Sequence, residues 1–79
     1  MRVLFFAQLK DATGVAAVEL QATTPLNVQQ LWTELLQRFP ALAAHRHNVR
    51  LARNWEYAVP DTTFANHDEV ALIPPVSGG

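Results

Sequence analysis

The last twelve residues, "DEVALIPPVSGG", place the most reactive arrangement in this chain at its end. A short apolar strand runs into Pro74 and Pro75. Val76 and Ser77 are the last side chains, and Gly78 and Gly79 are bare backbone. Extended, the stretch after Ile73 reaches about 20 Å beyond the strand. The prolines fix φ and favour a stiff polyproline-like stem, while the glycines give the thinnest cross-section a polypeptide has. A carboxylate at the tip of such a rod can enter a channel that any side chain would block.

With a pKa of about 3.5, a terminal carboxylate is ionised at neutral pH and acylates poorly. ATP removes that obstacle when the terminal oxygen attacks the α-phosphorus, because the acyl-adenylate carries a good leaving group. The chain has no glycine-rich phosphate loop, so it is expected to bind no cofactor alone, and the ATP is expected to be used by an activating partner. The bland alternative is a frayed end, as most termini are. The abutting strand, the double proline and the lack of any residue after Gly79 together favour the tail as a device.

Other chemistry-bearing residues are less promising. His45 and His47 are two apart, as strand ligands would be, but no third ligand is near and the expectation is no metal. Asp68 and Glu69 are adjacent and point to opposite faces of a strand, so they read as a solvated turn and an electrostatic handle for a basic partner. Trp55 and Tyr57 fall in a turn, where half-buried packing is the expected role and a partner contact the sharper one. Phe5 and Phe6 also point oppositely, so one of them lies on a sheet face available for docking.

Seventy-nine residues make a single domain, 1–79, with 74–79 as its tail. A chain this short buries only about 60 % of its unfolded surface, so the core is thin. An apolar content of 49 % against 16 % charged residues fits a folded globule and leaves apolar surface for a partner to cover. The net charge of −1, with basic residues scattered, lacks the footprint of a nucleic-acid binder. Without cysteine there is no disulfide framework, thiolate metal site or cysteine nucleophile. The apolar opening is too short for a signal peptide or a membrane span, so a cytoplasmic location is expected.

The elements that must carry the tail are readable in outline. "VLFFAQL", Val3 to Leu9, reads as a central strand. "KDATG" follows as one helical turn that Gly14 stops in the left-handed conformation. "VAAVELQA" alternates and reads as a strand antiparallel to the first. In "PLNVQQLWTELLQRFP", Asn27 and Gln30 form a capping box, and Leu26 and Leu31 a hydrophobic staple. Val28, Leu31, Trp32, Leu35 and Phe39 make the apolar stripe, and Pro40 ends the helix. "ALAAHRHN" reads as a further helical turn, "VRLAR" as a strand, "NWEY" as a turn and "AVP" as a short strand. "DTTFANHDE" is turn-rich around a buried Phe64, and "EVALIPP" is the last strand. The class is α+β, with one main helix packed across a mixed sheet of four or five strands.

The closing "DEVALIPPVSGG" closely resembles the C-terminus of the small, sulfur-carrying subunit of molybdopterin synthase, the MoaD family. "VLFFAQLKDATG" resembles that family's first strand and turn, and Arg53–Asn54 its mid-chain turn. The likeness runs the length of the chain and implies the ubiquitin-like β-grasp fold. It implies that Gly79 is adenylated by an enzyme similar to the ubiquitin-activating family and converted by a sulfur donor to a thiocarboxylate. The tail Pro74, Pro75, Val76, Ser77 and Gly78 would then enter the large subunit, where sulfur passes to cyclic pyranopterin monophosphate. The chain would thus be the sulfur-donating subunit of a sulfurtransferase, not catalytic alone, in an assembly of two small and two large subunits. The candidate docking surface comprises Phe5, Phe6, Ile73, Asp68 and Glu69. One departure is "NHDEVA", where the family has Gly in the turn; Asn66 tolerates a left-handed conformation and His67 less so.

Three alternatives stand beside this reading. A thiamine-pathway sulfur carrier shares the fold and the Gly-Gly end but tends to be shorter and lacks the "PPVSGG" style of tail. A ubiquitin-like modifier would end in an isopeptide bond to lysine. A plain interaction module would have an inert tail.

Overall fold

The computed structural model describes residues 1–75. Strand β1 spans Arg2–Phe5, helix α1 Gln8–Thr13 and strand β2 Ala17–Glu19. The short strand β3, Leu26–Asn27, leads directly into helix α2, Val28–Arg38. Two 3-10 segments, Pro40–Ala44 and Arg46–Asn48, precede β4 at Arg50–Arg53. Strands β5 (Glu56–Tyr57), β6 (Thr63–Phe64) and β7 (Glu69–Ile73) complete the described chain. The main sheet has five strands in the order β2-β1-β7-β4-β5, and β3 pairs with β6 in a separate two-stranded ladder.

The tail-bearing strand is central. β7 runs parallel to β1, with Phe5 opposite Leu72, and antiparallel to β4, with Leu51 also opposite Leu72. Partners directly across a sheet share a face, so Phe5, Leu72 and Leu51 point together. That face meets Leu31, Trp32 and Leu35 of α2 in one core, which also takes in Val3, Val70 and Phe64. Trp32 is a core residue, as its place on the helical stripe predicts. The α+β class, with one main helix laid on a mixed sheet, is the expected one.

Local signals set the helices. Asn27 Oδ1 accepts the Gln30 backbone N–H at 2.8 Å, and Gln30 Oε1 accepts the Asn27 N–H at 2.9 Å, closing the capping box. Helix α2 stops at Arg38, and Pro40 opens the first 3-10 segment. Gly14 caps α1 at φ 78°, its N–H donating to the Lys10 carbonyl at 2.8 Å. Only a residue without Cβ takes that conformation at little cost.

Two boundaries and one turn differ from the sequence reading. The first strand ends at Phe5, because Ala7 adopts φ 51° and the chain turns into α1, which buries Leu9. The unbroken apolar run had hidden this change from strand to helix. The second strand of the β4–β5 hairpin is Glu56–Tyr57, with only Asn54 and Trp55 in the turn; Ala58 and Val59 lie beyond it. The turn at Asn66–His67 contains no left-handed residue. It closes instead through the Asp68 N–H donating to the Ala65 carbonyl at 3.0 Å, so glycine is not required there.

Candidate functional site

Strand β7 delivers the tail. Ile73 pairs with Arg50 at the end of the ladder and is half-buried, as is Pro74, while Pro75 is exposed. Val76, Ser77, Gly78 and Gly79, including the residue expected to carry the chemistry, lie outside the described residues.

The start of β7 is held by a closed set of hydrogen bonds. The Asn54 backbone N–H donates to the Glu69 carbonyl at 2.7 Å, and Asn54 Oδ1 accepts the Glu69 N–H at 2.9 Å. Asn54 Nδ2 donates to Asp68 Oδ1 at 3.0 Å, and the Ala65 N–H donates to Asp68 Oδ2 at 2.7 Å. The N–H of Arg2 donates to the Asp68 carbonyl at 3.2 Å, joining β1 to the same corner. Asp68 is 7 % exposed, so the expectation of a solvated turn and an electrostatic handle is corrected for this residue. Its carboxylate is consumed by the turn it closes. The Ala65 N–H holds the carboxyl below its ordinary value; burial opposes this, and Asn54, His67 and Arg53 add to the lowering.

The sheet face turned away from α2 carries an aromatic surface. The register sets Leu4, Ala71, Ala52 and Tyr57 in one row, with Ile73 and Arg50 in the next. Phe6 is 39 % exposed, and its ring centroid lies 6.4 Å from that of Trp55. Trp55 is 63 % exposed, and its indole N–H donates to Glu69 Oε1 at 2.8 Å. Tyr57 is exposed beneath the Arg50 guanidinium, whose carbon stands 3.8 Å from the ring centroid. Small Ala52 and Ala71 form the floor between these larger side chains.

Trp55 takes φ 69° and Asn54 φ 51°. A two-residue hairpin loop with both φ values positive matches the right-handed twist of its strands, and glycine is the usual second residue. A bulky residue in this region is strained by an amount on the order of 1–3 kcal/mol. The contacts to Glu69 and Phe6 offset part of that and keep an exposed indole on the open sheet face.

Of the residues expected to dock, this arrangement gathers Phe6, Ile73 and Glu69 on the open face. Phe5 is corrected: it is 2 % exposed and packs edge-on against Phe39 at 5.4 Å, so it belongs to the core. The half-buried packing expected of Trp55 and Tyr57 is corrected too, since both rings are largely exposed. The Arg53–Asn54 turn was legible in the sequence, but nothing there showed Trp55 folding back onto Phe6. His45 and His47 sit in and beside the 3-10 segments, and among the described residues no group of three or more His, Cys, Asp or Glu side chains could hold a metal. No helix among the described residues is long and apolar enough to cross a membrane.

The family model described as the ThiS family matches residues 3–79. The molybdopterin synthase sulfur carrier subunit of Arabidopsis thaliana is 38 % identical over 79 residues, covering 100 % of this chain and 82 % of that protein. The Homo sapiens protein of the same name is 35 % identical over 82 residues, covering 100 % of this chain and 93 % of its own length. Among solved structures, SAMP1 of Haloferax volcanii, a small archaeal modifier protein, superposes with a TM-score of 0.83 at 29 % identity, covering 100 % of this chain and 98 % of that one. With its helix across a mixed sheet and its likeness to these proteins over its full length, the chain belongs to the ThiS family of ubiquitin-like β-grasp proteins.

Proposed function

We propose that this chain is the sulfur carrier of molybdopterin synthesis and acts as the small subunit of the synthase. The observation that carries the reading is its likeness, from end to end, to subunits named as sulfur carriers of that enzyme. Gly79 is the working residue. An adenylating enzyme converts its carboxylate to an acyl-adenylate at the expense of ATP, and a sulfur donor replaces AMP to leave a thiocarboxylate.

The thiocarboxylate sulfur is a soft anionic nucleophile. Carried on the Pro74–Gly78 stem into the large subunit, it attacks cyclic pyranopterin monophosphate, and the chain is released as the carboxylate for recharging. This chain binds no cofactor itself and works in the cytoplasm. Its body aims the tail, and the open sheet face around Phe6, Trp55 and Tyr57 meets the partners. Aromatic side chains of this kind anchor interfaces at low entropic cost.

Deleting Gly79 tests the reading. The variant is expected to keep the melting temperature of the parent chain, since the described core residues run no further than Leu72. It loses both the thiocarboxylate, read as the oxygen-to-sulfur mass increase of the terminal peptide, and molybdopterin formation. Retained molybdopterin formation overturns the proposal.

A second reading, a protein modifier joined to lysine, is favoured by the structural likeness to the archaeal modifier protein. Intact mass separates the two, because conjugation adds a whole protein and sulfuration a single atom's difference.

A further inference from the structure

Among the described residues other than glycine, Ala7, Asn54 and Trp55 have positive φ, and Trp55, at 69°, is the bulky one of the three. An Asn-Gly loop would form the same two-residue turn without strain, since glycine takes this conformation freely. The turn therefore gains nothing from tryptophan. The core gains nothing either, because the side chain is 63 % exposed. Backbone strain that neither turn nor core requires points to a use outside the fold.

Two contacts hold the ring in place. Its indole N–H donates to Glu69 Oε1 at 2.8 Å, and its centroid lies 6.4 Å from that of Phe6. Indole has a single polar hydrogen, and Glu69 engages it. The surface that Trp55 leaves to solvent is therefore hydrocarbon and needs no hydrogen-bond partner. On the adjoining strands, the Arg50 guanidinium lies over the Tyr57 ring at 3.8 Å and makes no ion pair among the described residues. A complementary surface must offer an apolar cleft to the indole and a carboxylate to the guanidinium. Trp, Tyr and Arg are the side chains enriched among those that carry interface energy.

We propose that Trp55 is a specificity-determining anchor for the large subunit of the synthase and that Glu69 is its positioning residue; the inference rests on the carrier reading above. A subunit stays with its partner in the assembly, whereas a carrier's other encounters are brief. An anchor kept against backbone strain belongs to the lasting contact. Glu69 orders the indole before binding, so less side-chain freedom is lost on docking. Glu69 is also the first residue of β7, where Asn54 fixes the register, so the anchor is tied to the strand that bears the tail.

The test measures, for the full chain, the melting temperature and calorimetric binding to the large subunit. Trp55→Gly is expected to melt no lower than the parent and to bind about tenfold more weakly or worse. Glu69→Ala is expected to weaken binding several-fold in the parent and to add nothing in the Trp55→Gly background. Glu69→Gln, which keeps an oxygen acceptor, is expected to recover the affinity that Glu69→Ala loses. Parent-like affinity in Trp55→Gly overturns the anchor, and so does a lower melting temperature, which would show that the ring serves the fold. An equal loss from Glu69→Ala in both backgrounds overturns its positioning role. A loss in Trp55→Gly that is as large toward the adenylating enzyme overturns the choice of partner. In all of these cases the parent still binds the large subunit and the carrier reading stands. A parent chain that does not bind it removes that reading and this inference together.

Discussion

Asn54 and Glu69 are paired as two strand residues would be, although Asn54 sits in a turn. The Asn54 backbone donates to the Glu69 carbonyl at 2.7 Å, and its side-chain Oδ1 stands in for a backbone carbonyl by accepting the Glu69 N–H at 2.9 Å. The register of β7 is thereby fixed at its first residue. A one-residue slip would turn Val70 and Leu72 out of the core. Asn54→Ala removes the acceptor and also places a Cβ-bearing residue without a local hydrogen bond at φ 51°. The expected loss is about 1–3 kcal/mol, read from urea unfolding.

Asp68 gives the fold a specific acid sensitivity. Its pKa is held below the ordinary 3.8, first by the Ala65 N–H. A depressed carboxyl pKa contributes stability that is fully present above the unfolded value and is lost as pH falls through the folded one. Asp68→Asn should therefore be less stable than the parent at pH 7. The gap should narrow below about pH 4, where the unfolded carboxyl takes up its proton. Parallel urea titrations at both pH values check this, and a gap that widens in acid contradicts it.

Phe5 and Phe6 are neighbours in sequence with opposite roles. Phe5 is sealed between the sheet and Phe39, so Phe5→Ala is expected to cost about 3–5 kcal/mol. Phe6 stands on the open face against Trp55. Phe6→Ala is expected to change stability by less than about 1 kcal/mol and to weaken binding to the large subunit by about tenfold or more. Thermal melts and calorimetric titration of the two variants separate core from surface.

The cap of α2 is a local and transferable device. Asn27→Ala leaves the Gln30 N–H without its side-chain acceptor and should cost about 1 kcal/mol, lowering the melting temperature by several degrees. Asn27→Asp preserves the acceptor and should stay close to the parent. A drop in Asn27→Asp equal to that in Asn27→Ala would show that the side-chain bond is not what matters.

The features legible in the sequence are those whose causes lie within a few residues of one another. The capping box needs only Asn27 and Gln30, and the α1 stop only Gly14. Where local signals overlapped, the reading slipped. Leu9 extends the apolar run of β1, yet it is buried from a helix, because Ala7 turns the chain between them.

Only the tertiary structure decided the surroundings of Asp68, Trp55 and Phe6. Asp68 reads as a surface acid because nothing beside it in sequence except the Ala65–His67 turn can satisfy it; Asn54 reaches it only once β4, β5 and β7 have assembled. Trp55 reads as a turn aromatic, and its place over the open face depends on Glu69 of β7 and on Phe6, just past the end of β1. Short-range geometry is written residue by residue, whereas burial and partnership depend on which distant segments the sheet brings side by side.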